Sequence, residues 1–367
     1  MNSKLSRPLE NAKNLKRFYC VSSSRYITKN KKMEAKYVFY SSLHLAGVLD
    51  SDALKSALRE LNATEAKHDP VATSLDPEHS LRDYYVERSL GPLGTGRYGT
   101  VFPARRKSDD KPVAIKIISR IHTKQLSDFE REVKLQRQCK HPNVVSIIDH
   151  FSGDKAFYIV MERMDLDLYD YEKREIGKMR AINQVPAVIP PAEVKSILRS
   201  IAKAISHCHS VGVVLCDIKS ENVLIRGREV KITDFGFARD VRNPERASFG
   251  GGTLECFAPE RFKISDDPSP LGENFKVVKI SQTPCDFPED AWQLGLICYE
   301  LLTGKRLFYS SNKEKMIHNI LRKDLGFGAG DYPEGSEKDF LSKILDRNPK
   351  TRMTVAEALL HPFLNEV

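Results

Sequence analysis

No run of about 18 apolar residues occurs anywhere in the 367-residue chain, which argues against a transmembrane helix. No C-x-x-C pair occurs either. The seven cysteines, Cys20, Cys139, Cys208, Cys216, Cys256, Cys285 and Cys298, are scattered and odd in number. They indicate neither a zinc site nor a disulfide framework, and they fit a reducing compartment. Acids are nearly missing from residues 1–33, where nine Lys or Arg accompany Glu10 alone. No internal repeat, RNA-binding signature or interleaved aromatic–basic stripe is present, so the net charge of +9 is not read as a nucleic-acid footprint.

What is present is ordinary in bulk: 41% hydrophobic and 29% charged residues, in a chain long enough for two packed lobes and an extension. Much of the excess charge lies in the extension, residues 1–83. It is expected to be a basic and partly disordered tail, with an organelle transit peptide as the minority reading because lysine outnumbers arginine. Leu54, Leu58 and Leu61 predict a short amphipathic helix within residues 50–66. A cytoplasmic location is expected, and a nuclear one is compatible.

Gly94, Gly96 and Gly99 form G-x-G-x-x-G, followed by Val101. Glycines let backbone N–H groups approach phosphate oxygens without a Cβ in the way. Dinucleotide-binding folds share that spacing but open a helix at the glycines. Here Thr100–Arg105 and Pro112–Ile118 are β-branched and predict two strands, with a polar turn at 107–111. Val113-Ala114-Ile115-Lys116 ends the second strand. A helix is predicted from about Leu126 to Cys139, and Phe157–Glu162 reads as a buried strand. Pro190-Pro191 opens a further helix whose Ile197, Leu198, Ile201, Ile205 and Cys208 share one face, and Gly212 lies just past its end. Next comes Leu215-Cys216-Asp217-Ile218-Lys219-Ser220-Glu221-Asn222, with Asp234-Phe235-Gly236 seventeen positions beyond Asp217. Downstream stand Ala258-Pro259-Glu260, Asp290-Ala291-Trp292-Gln293-Leu294-Gly295, and Arg352. Thr354 and Glu357 form a capping box.

This ordered set resembles the catalytic core of eukaryotic protein kinases of the serine/threonine type, over roughly residues 84–364. The resemblance implies an α+β, two-lobed fold: a small β-rich lobe with one helix (84–164) and a larger, mainly helical lobe (165–364). It also implies ATP as phosphate donor, Mg2+, and protein substrates phosphorylated on Ser or Thr. By resemblance Leu93, Gly94, Thr95, Gly96, Arg97, Tyr98, Gly99, Thr100 and Val101 cover the nucleotide, and Lys116 binds the α- and β-phosphates while pairing with Glu132. Ala114 and Leu224 enclose the purine, Met161 is the gatekeeper, and the backbone of Glu162 and Met164 bonds adenine. Asp217 orients and deprotonates the substrate hydroxyl, Lys219 neutralises the γ-phosphate, and Asn222 and Asp234 hold magnesium. Asp290 supports the catalytic-loop backbone, and Arg352 pairs with Glu260.

The chain departs from that pattern in places. Leu215-Cys216 stands where the family has His-Arg, and the arginine there normally pairs with a phosphate on the activation loop. Activity is therefore expected to depend little on such phosphorylation. Cys216 itself reads as an inert thiol. Gln136 replaces an apolar residue under the helix. Ser248 is the expected loop phosphosite if one is used, and Asp266–Thr283 reads as an insertion, since 29 residues separate Glu260 from Asp290. Asp165, Asp167, Asp170 and Glu172 read either as a lure for basic peptides or as a solvated helix start. The alternatives are a pseudokinase scaffold that performs no chemistry and, on Gly252-Thr253 and Ala258-Pro259-Glu260 less favoured, a small-molecule kinase.

Overall fold

The computed structural model describes residues 80–96, 99–120, 126–153, 155–181, 189–243, 251–262, 285–323, 325 and 335–365. The basic extension, the helix expected within 50–66, Arg97, Tyr98, Ser248 and the insertion expected at 266–283 lie outside the described residues.

Seven elements form the first layer. They are β1 (Tyr84–Val86), β2 (Gly94–Gly96), β3 (Gly99–Arg106), β4 (Pro112–Ser119), α1 (Leu126–Gln138), β5 (Ile147–Ser152) and β6 (Ala156–Glu162). The strands make one antiparallel sheet in the order β1-β3-β4-β6-β5, with β2 folded back on β3. Side chains alternate across a strand. In β4, Val113, Ile115 and Ile117 pack on one face with Tyr84, Phe151, Tyr158 and Val160. Ile118, two positions on from Lys116, packs on the other face with Phe129, Val133, Phe157 and Ile159. That second face is the one α1 covers, so the same alternation directs Lys116 towards α1. In the helix, Phe129, Glu132, Val133 and Gln136 recur at helical spacing and are all buried. Phe129 stacks on Phe157 at 4.7 Å, and its truncation to Ala would cost about 3–5 kcal/mol.

The second layer holds β7 (Leu166–Asp167), α2 (Leu168–Ala181), α3 (Pro191–Ser210), β8 (Val213–Val214), β9 (Val223–Arg226), β10 (Glu229–Ile232) and β11 (Arg239–Asp240). It continues with α4 (Phe287–Thr303), α5 (Lys313–Arg322), α6 (Ser336–Ile344), α7 (Val355–Leu360) and α8 (Pro362–Asn365). The apolar face expected for α3 is buried, and Gly212 follows the helix at φ 80°. α4 is apolar nearly all round and therefore sits in the middle of the lobe. Asp286 caps its start through the Phe287 N–H, and Gly304 ends it in the left-handed conformation. Trp292 of α4 is fully buried, stacked on Phe308 at 5.5 Å with the Arg352 guanidinium 5.1 Å from its ring. The capping box of Thr354 and Glu357 forms as its spacing predicts. No helix among the described residues is long and apolar enough to cross a membrane.

Candidate active site

Between the layers, three charged side chains meet, from β4, α1 and the turn that follows β10. Lys116 Nζ lies 2.6 Å from Glu132 Oε1 and 2.8 Å from Asp234 Oδ1. Burial alone would discharge Lys116, but Asp234 and Glu132 outweigh it and hold the ammonium above its ordinary value. Asp234, also penalised by burial, is pulled below the usual carboxylate range by Lys116. Burial works against the charge of Glu132 as well. We take it as the carboxylate because an ammonium stands 2.6 Å from its oxygen. Asp234 adopts φ 64°, a conformation that costs a non-glycine residue roughly 1 kcal/mol or more.

Asp217 is 5% exposed and sits at the centre of the loop between β8 and β9. Its Oδ1 accepts the Thr253 N–H at 2.7 Å, and its Oδ2 lies 3.2 Å from Lys219 Nζ. Lys219 also donates to Thr253 Oγ1 at 2.6 Å. Burial disfavours its charge, yet Asp217 lifts the ammonium above its ordinary value. Asn222 Nδ2 donates to the Asp217 carbonyl at 2.8 Å, and the Thr233 N–H donates to the Asn222 carbonyl at 2.9 Å, which joins this loop to the Asp234 turn. Asp217, Lys219, Asn222 and Asp234 therefore line one site, with Lys116 and Glu132 behind it.

The loop hangs from α4. Asp290 accepts the N–H groups of Leu215 and Cys216, both at 2.9 Å, as the resemblance implies. His209 Nε2 is 2.8 Å from the same carboxylate. Gln293 adds a second clamp that sequence reasoning missed: its Oε1 accepts the Ile218 N–H at 2.7 Å, and its Nε2 donates to the Cys216 carbonyl at 3.0 Å. These bonds pin Cys216 at φ 67°, a left-handed conformation. Its thiol is buried beside Cys285 and burial raises it, which agrees with the inert role expected of it. Leu215 is buried in the large core.

Arg352 reaches Glu260 through two bonds of 2.7 and 2.8 Å, as implied. A second buried pair was not foreseen: Arg261 Nη1 lies 3.2 and 2.9 Å from the two oxygens of Glu289. A third network joins Arg306 to Glu221, Glu255 and Glu300 at 2.6, 2.5 and 3.0 Å. The one hint available beforehand was placement. Glu289 and Gln293 are polar residues inside an otherwise apolar helical run, and such residues are buried only when paired.

On the nucleotide side, Gly99 is required by the fold: a Cβ there would stand 2.5 Å from the Ile117 carbonyl oxygen. At Gly94 a Cβ would meet no atom of the described residues within 4 Å, and the backbone is not left-handed, so nothing among the described residues demands glycine there. Thr95 pairs with Thr100, Leu93 is largely exposed, and Val101 stands opposite Lys116 in the β3–β4 ladder. Ala114 stands opposite Met161, and Leu224 packs against the cluster containing Met161 and Met164. The Glu162 N–H is spent on the Ser146 carbonyl at 3.1 Å, while its carboxylate is held by Lys231 and Arg226. Gln136 is buried and donates to the Val145 carbonyl at 2.8 Å, so it satisfies its own polarity beneath α1. One expectation is corrected. Of the four acids that follow β6, Asp165 and Asp170 are exposed and Asp167 accepts the Asp170 N–H at 2.8 Å, but Glu172 is buried and belongs to no solvated helix start. Its position on α2 turns it inward, towards Glu300 and Arg306.

With this geometry in hand, similarity to known proteins is informative. The family described as the protein kinase domain matches residues 88–364. Aurora kinase of Dictyostelium discoideum is 30% identical over 283 residues, covering 75% of this chain and 64% of that protein. Aurora kinase C of Mus musculus is 30% identical over 300 residues, 80% of this chain and 96% of the relative. Serine/threonine-protein kinase Aurora-2 of Arabidopsis thaliana is 29% identical over 278 residues, 74% and 88% respectively. The chain belongs to the protein kinase family. It is an ATP-dependent protein kinase of the serine/threonine type, acting on proteins.

Proposed function

We propose that phosphoryl transfer by this chain runs through Asp217, with Lys219, Asn222, Asp234 and Lys116 handling the charge of the nucleotide. The observation that carries this is the convergence described above: two carboxylates, an amide and two ammonium groups from separate turns on one cleft. Asp217 receives the proton of the substrate Ser or Thr hydroxyl and orients its oxygen. Lys219, within reach of both Asp217 and Thr253, offsets negative charge on the transferring group. Lys116 holds the α- and β-phosphates, and Glu132 keeps its ammonium in place. Gly94, Gly96 and the neighbouring backbone close over the phosphates, a use that gives Gly94 the reason the fold does not. Ala114, Leu224 and Met161 bound the purine, and the backbone at Glu162 and Met164 meets its edge. The resemblance gives Arg97 and Tyr98, which lie outside the described residues, the same role.

Magnesium fits the donor set. Among the described residues no group of three His, Cys, Asp or Glu is placed to cage a metal. Asp234 and the Asn222 carboxamide offer oxygen ligands on turns joined by a hydrogen bond, which suits an ion shared with substrate phosphates. When bound, it supplies charge neutralisation of the phosphate oxygens. The cytoplasm, or the nucleus, is the proposed location, supported by six free buried cysteines among the described residues.

The test is radiolabelled phosphate transfer to a mixed protein substrate with magnesium, comparing wild type with Asp217→Asn. The variant should lose on the order of 10²–10⁴-fold in kcat with nucleotide affinity retained. Equal, background-level transfer by both would favour the pseudokinase scaffold, which no observation here supports.

A further inference from the structure

Glu289 and Asp290 are neighbours in the first turn of α4, and each holds one wall of the gap in which Asp217 sits. Asp290 holds the loop before Asp217 through the Leu215 and Cys216 N–H groups. Glu289 acts on the opposite wall through Arg261. Both side chains of that pair are nearly inaccessible, 3% and 2% exposed. Beyond Glu289, Arg261 turns its Nη2 to the Gly251 carbonyl at 3.4 Å and lays its guanidinium 4.5 Å from the Phe257 ring centre. Phe257 in turn covers Gly252, where a Cβ would meet its ring at 2.8 Å and the Cys216 carbonyl at 3.2 Å. Gly252 takes φ 119°, and the next residue, Thr253, donates its N–H to Asp217. A continuous path thus runs from the Glu289 carboxylate to Asp217 Oδ1.

We propose that Arg261 and Glu289 are a permanent positioning pair that clamps the turn 251–253 against Asp217. It does from within the fold what a phosphate on the activation loop does in kinases with arginine at the place of Cys216. Three features support it together. The position whose arginine would pair with a loop phosphate holds a buried thiol, Cys216, so the usual partner is gone. A carboxylate already pairs with the guanidinium nearest the turn, both its oxygens on Nη1, while Nη2 faces the Gly251 carbonyl and Nε has no hydrogen-bond partner among the described residues. The pair lies too deep to exchange partners with solvent ions, so the clamp does not open with salt. The inference rests on the reading of Asp217 as the group that orients the substrate hydroxyl, and its test is separable from that reading.

Two variants are needed, because removing one partner of a buried pair strands a charge and endangers folding. Replacing both, as Arg261→Met with Glu289→Leu, keeps the volume apolar and the lobe foldable. Arg261→Lys keeps the pairing with Glu289 but cannot span both Glu289 and Gly251. Amide hydrogen exchange is followed in the peptide covering 251–256, with the α4 peptide 291–302 and ADP binding as internal controls. In both variants exchange at 251–256 should rise at least tenfold, while α4 and ADP affinity stay within twofold of wild type. In steady-state assays kcat with a peptide substrate should fall about tenfold with the KM for ATP unchanged. Phosphatase treatment of wild type should change its rate less than twofold. If the double variant does not melt cooperatively, Arg261→Lys alone decides. Unchanged exchange at 251–256 overturns the proposal whatever the activity, as does a large loss of wild-type rate on dephosphorylation. Loss of ADP binding or of α4 protection in step with activity overturns it too, since the pair would then be a general fold support. If wild type transfers no phosphate but exchange behaves as stated, the clamp stands and the catalytic reading of Asp217 falls.

Discussion

The molecule organises charge in two different ways on either side of Asp217. Around Lys116 the ion pairs are borrowed: the Asp234 side chain is 32% exposed, and a nucleotide with its metal must take both Asp234 and Lys116 into new partnerships. Around α4 the pairs are permanent. Asp290 is fully buried with two backbone donors, Gln293 is fully buried with three backbone partners, and Arg261–Glu289 is sealed. The difference teaches where substitution should register. Removing a borrowed pair should damage chemistry and spare the fold, whereas removing the Asp290 anchor should damage the fold and chemistry together.

Lys116→Met is the hardest push on the first half of that comparison. Loss of the ammonium removes charge stabilisation from the phosphates, and kcat/KM should fall on the order of 10²–10³-fold. Stability should fall by only about 1 kcal/mol, because burial lets Glu132 take up a proton once its partner is gone. Steady-state kinetics beside urea unfolding measures the two effects on one sample. A collapse in stability as large as the loss in rate would erase the distinction between borrowed and permanent charge.

Asp290→Asn tests the other half. The amide keeps the size of the carboxylate but offers one N–H2 group to a pair of backbone N–H donors, so one donor faces another. The cost should be on the order of 2–3 kcal/mol, with kcat reduced by about tenfold or more as the loop drifts. A variant that melts like wild type but transfers phosphate slowly would place Asp290 with Lys116, not against it.

The borrowed half was largely legible in the sequence, and the permanent half was not. The motifs shared with protein kinases put Asp217, Lys219, Asn222 and Asp234 in one set, and the match at Val113-Ala114-Ile115-Lys116 marked the strand lysine. Both are local properties, readable over a few residues. Glu289, Gln293 and Arg261 are bound to partners 10 to 77 positions away, so their roles depend on how the chain packs. Gln136 looked like a defect under α1, because a carbonyl free to accept from it at Val145 exists only once β5 approaches the helix. Gly94 and Gly96 read as a loop but pair with β3 as a short strand, a register that no local preference of glycine announces.

Glu172 sharpens the comparison from within the same lobe, because it is a buried carboxyl without an ion-pair partner among the described residues. Arg306, the nearest base, gives its nitrogens to Glu221, Glu255 and Glu300, and Glu172 Oε1 finds no hydrogen-bond partner among the described residues. Burial, and then repulsion from Glu300, raise its carboxyl to about 8 from an ordinary 4.5. At pH 7 it is therefore held as the neutral acid. Below pH 4.5 both folded and unfolded chains are protonated at this site, and it costs nothing. As pH climbs from 4.5 towards 8 the unfolded chain releases its proton while the folded one keeps it, so stability drains away across that window and the loss is complete above it. Glu172→Gln removes the titration with little change of shape. It should stabilise the protein by on the order of 2 kcal/mol at pH 8.5, a rise of several degrees in Tm, and by almost nothing at pH 4.5. Scanning calorimetry of both proteins across that range reads the effect directly. Equal gains at the two ends would mean that Glu172 is already paired, and that every buried charge in this lobe is permanently partnered.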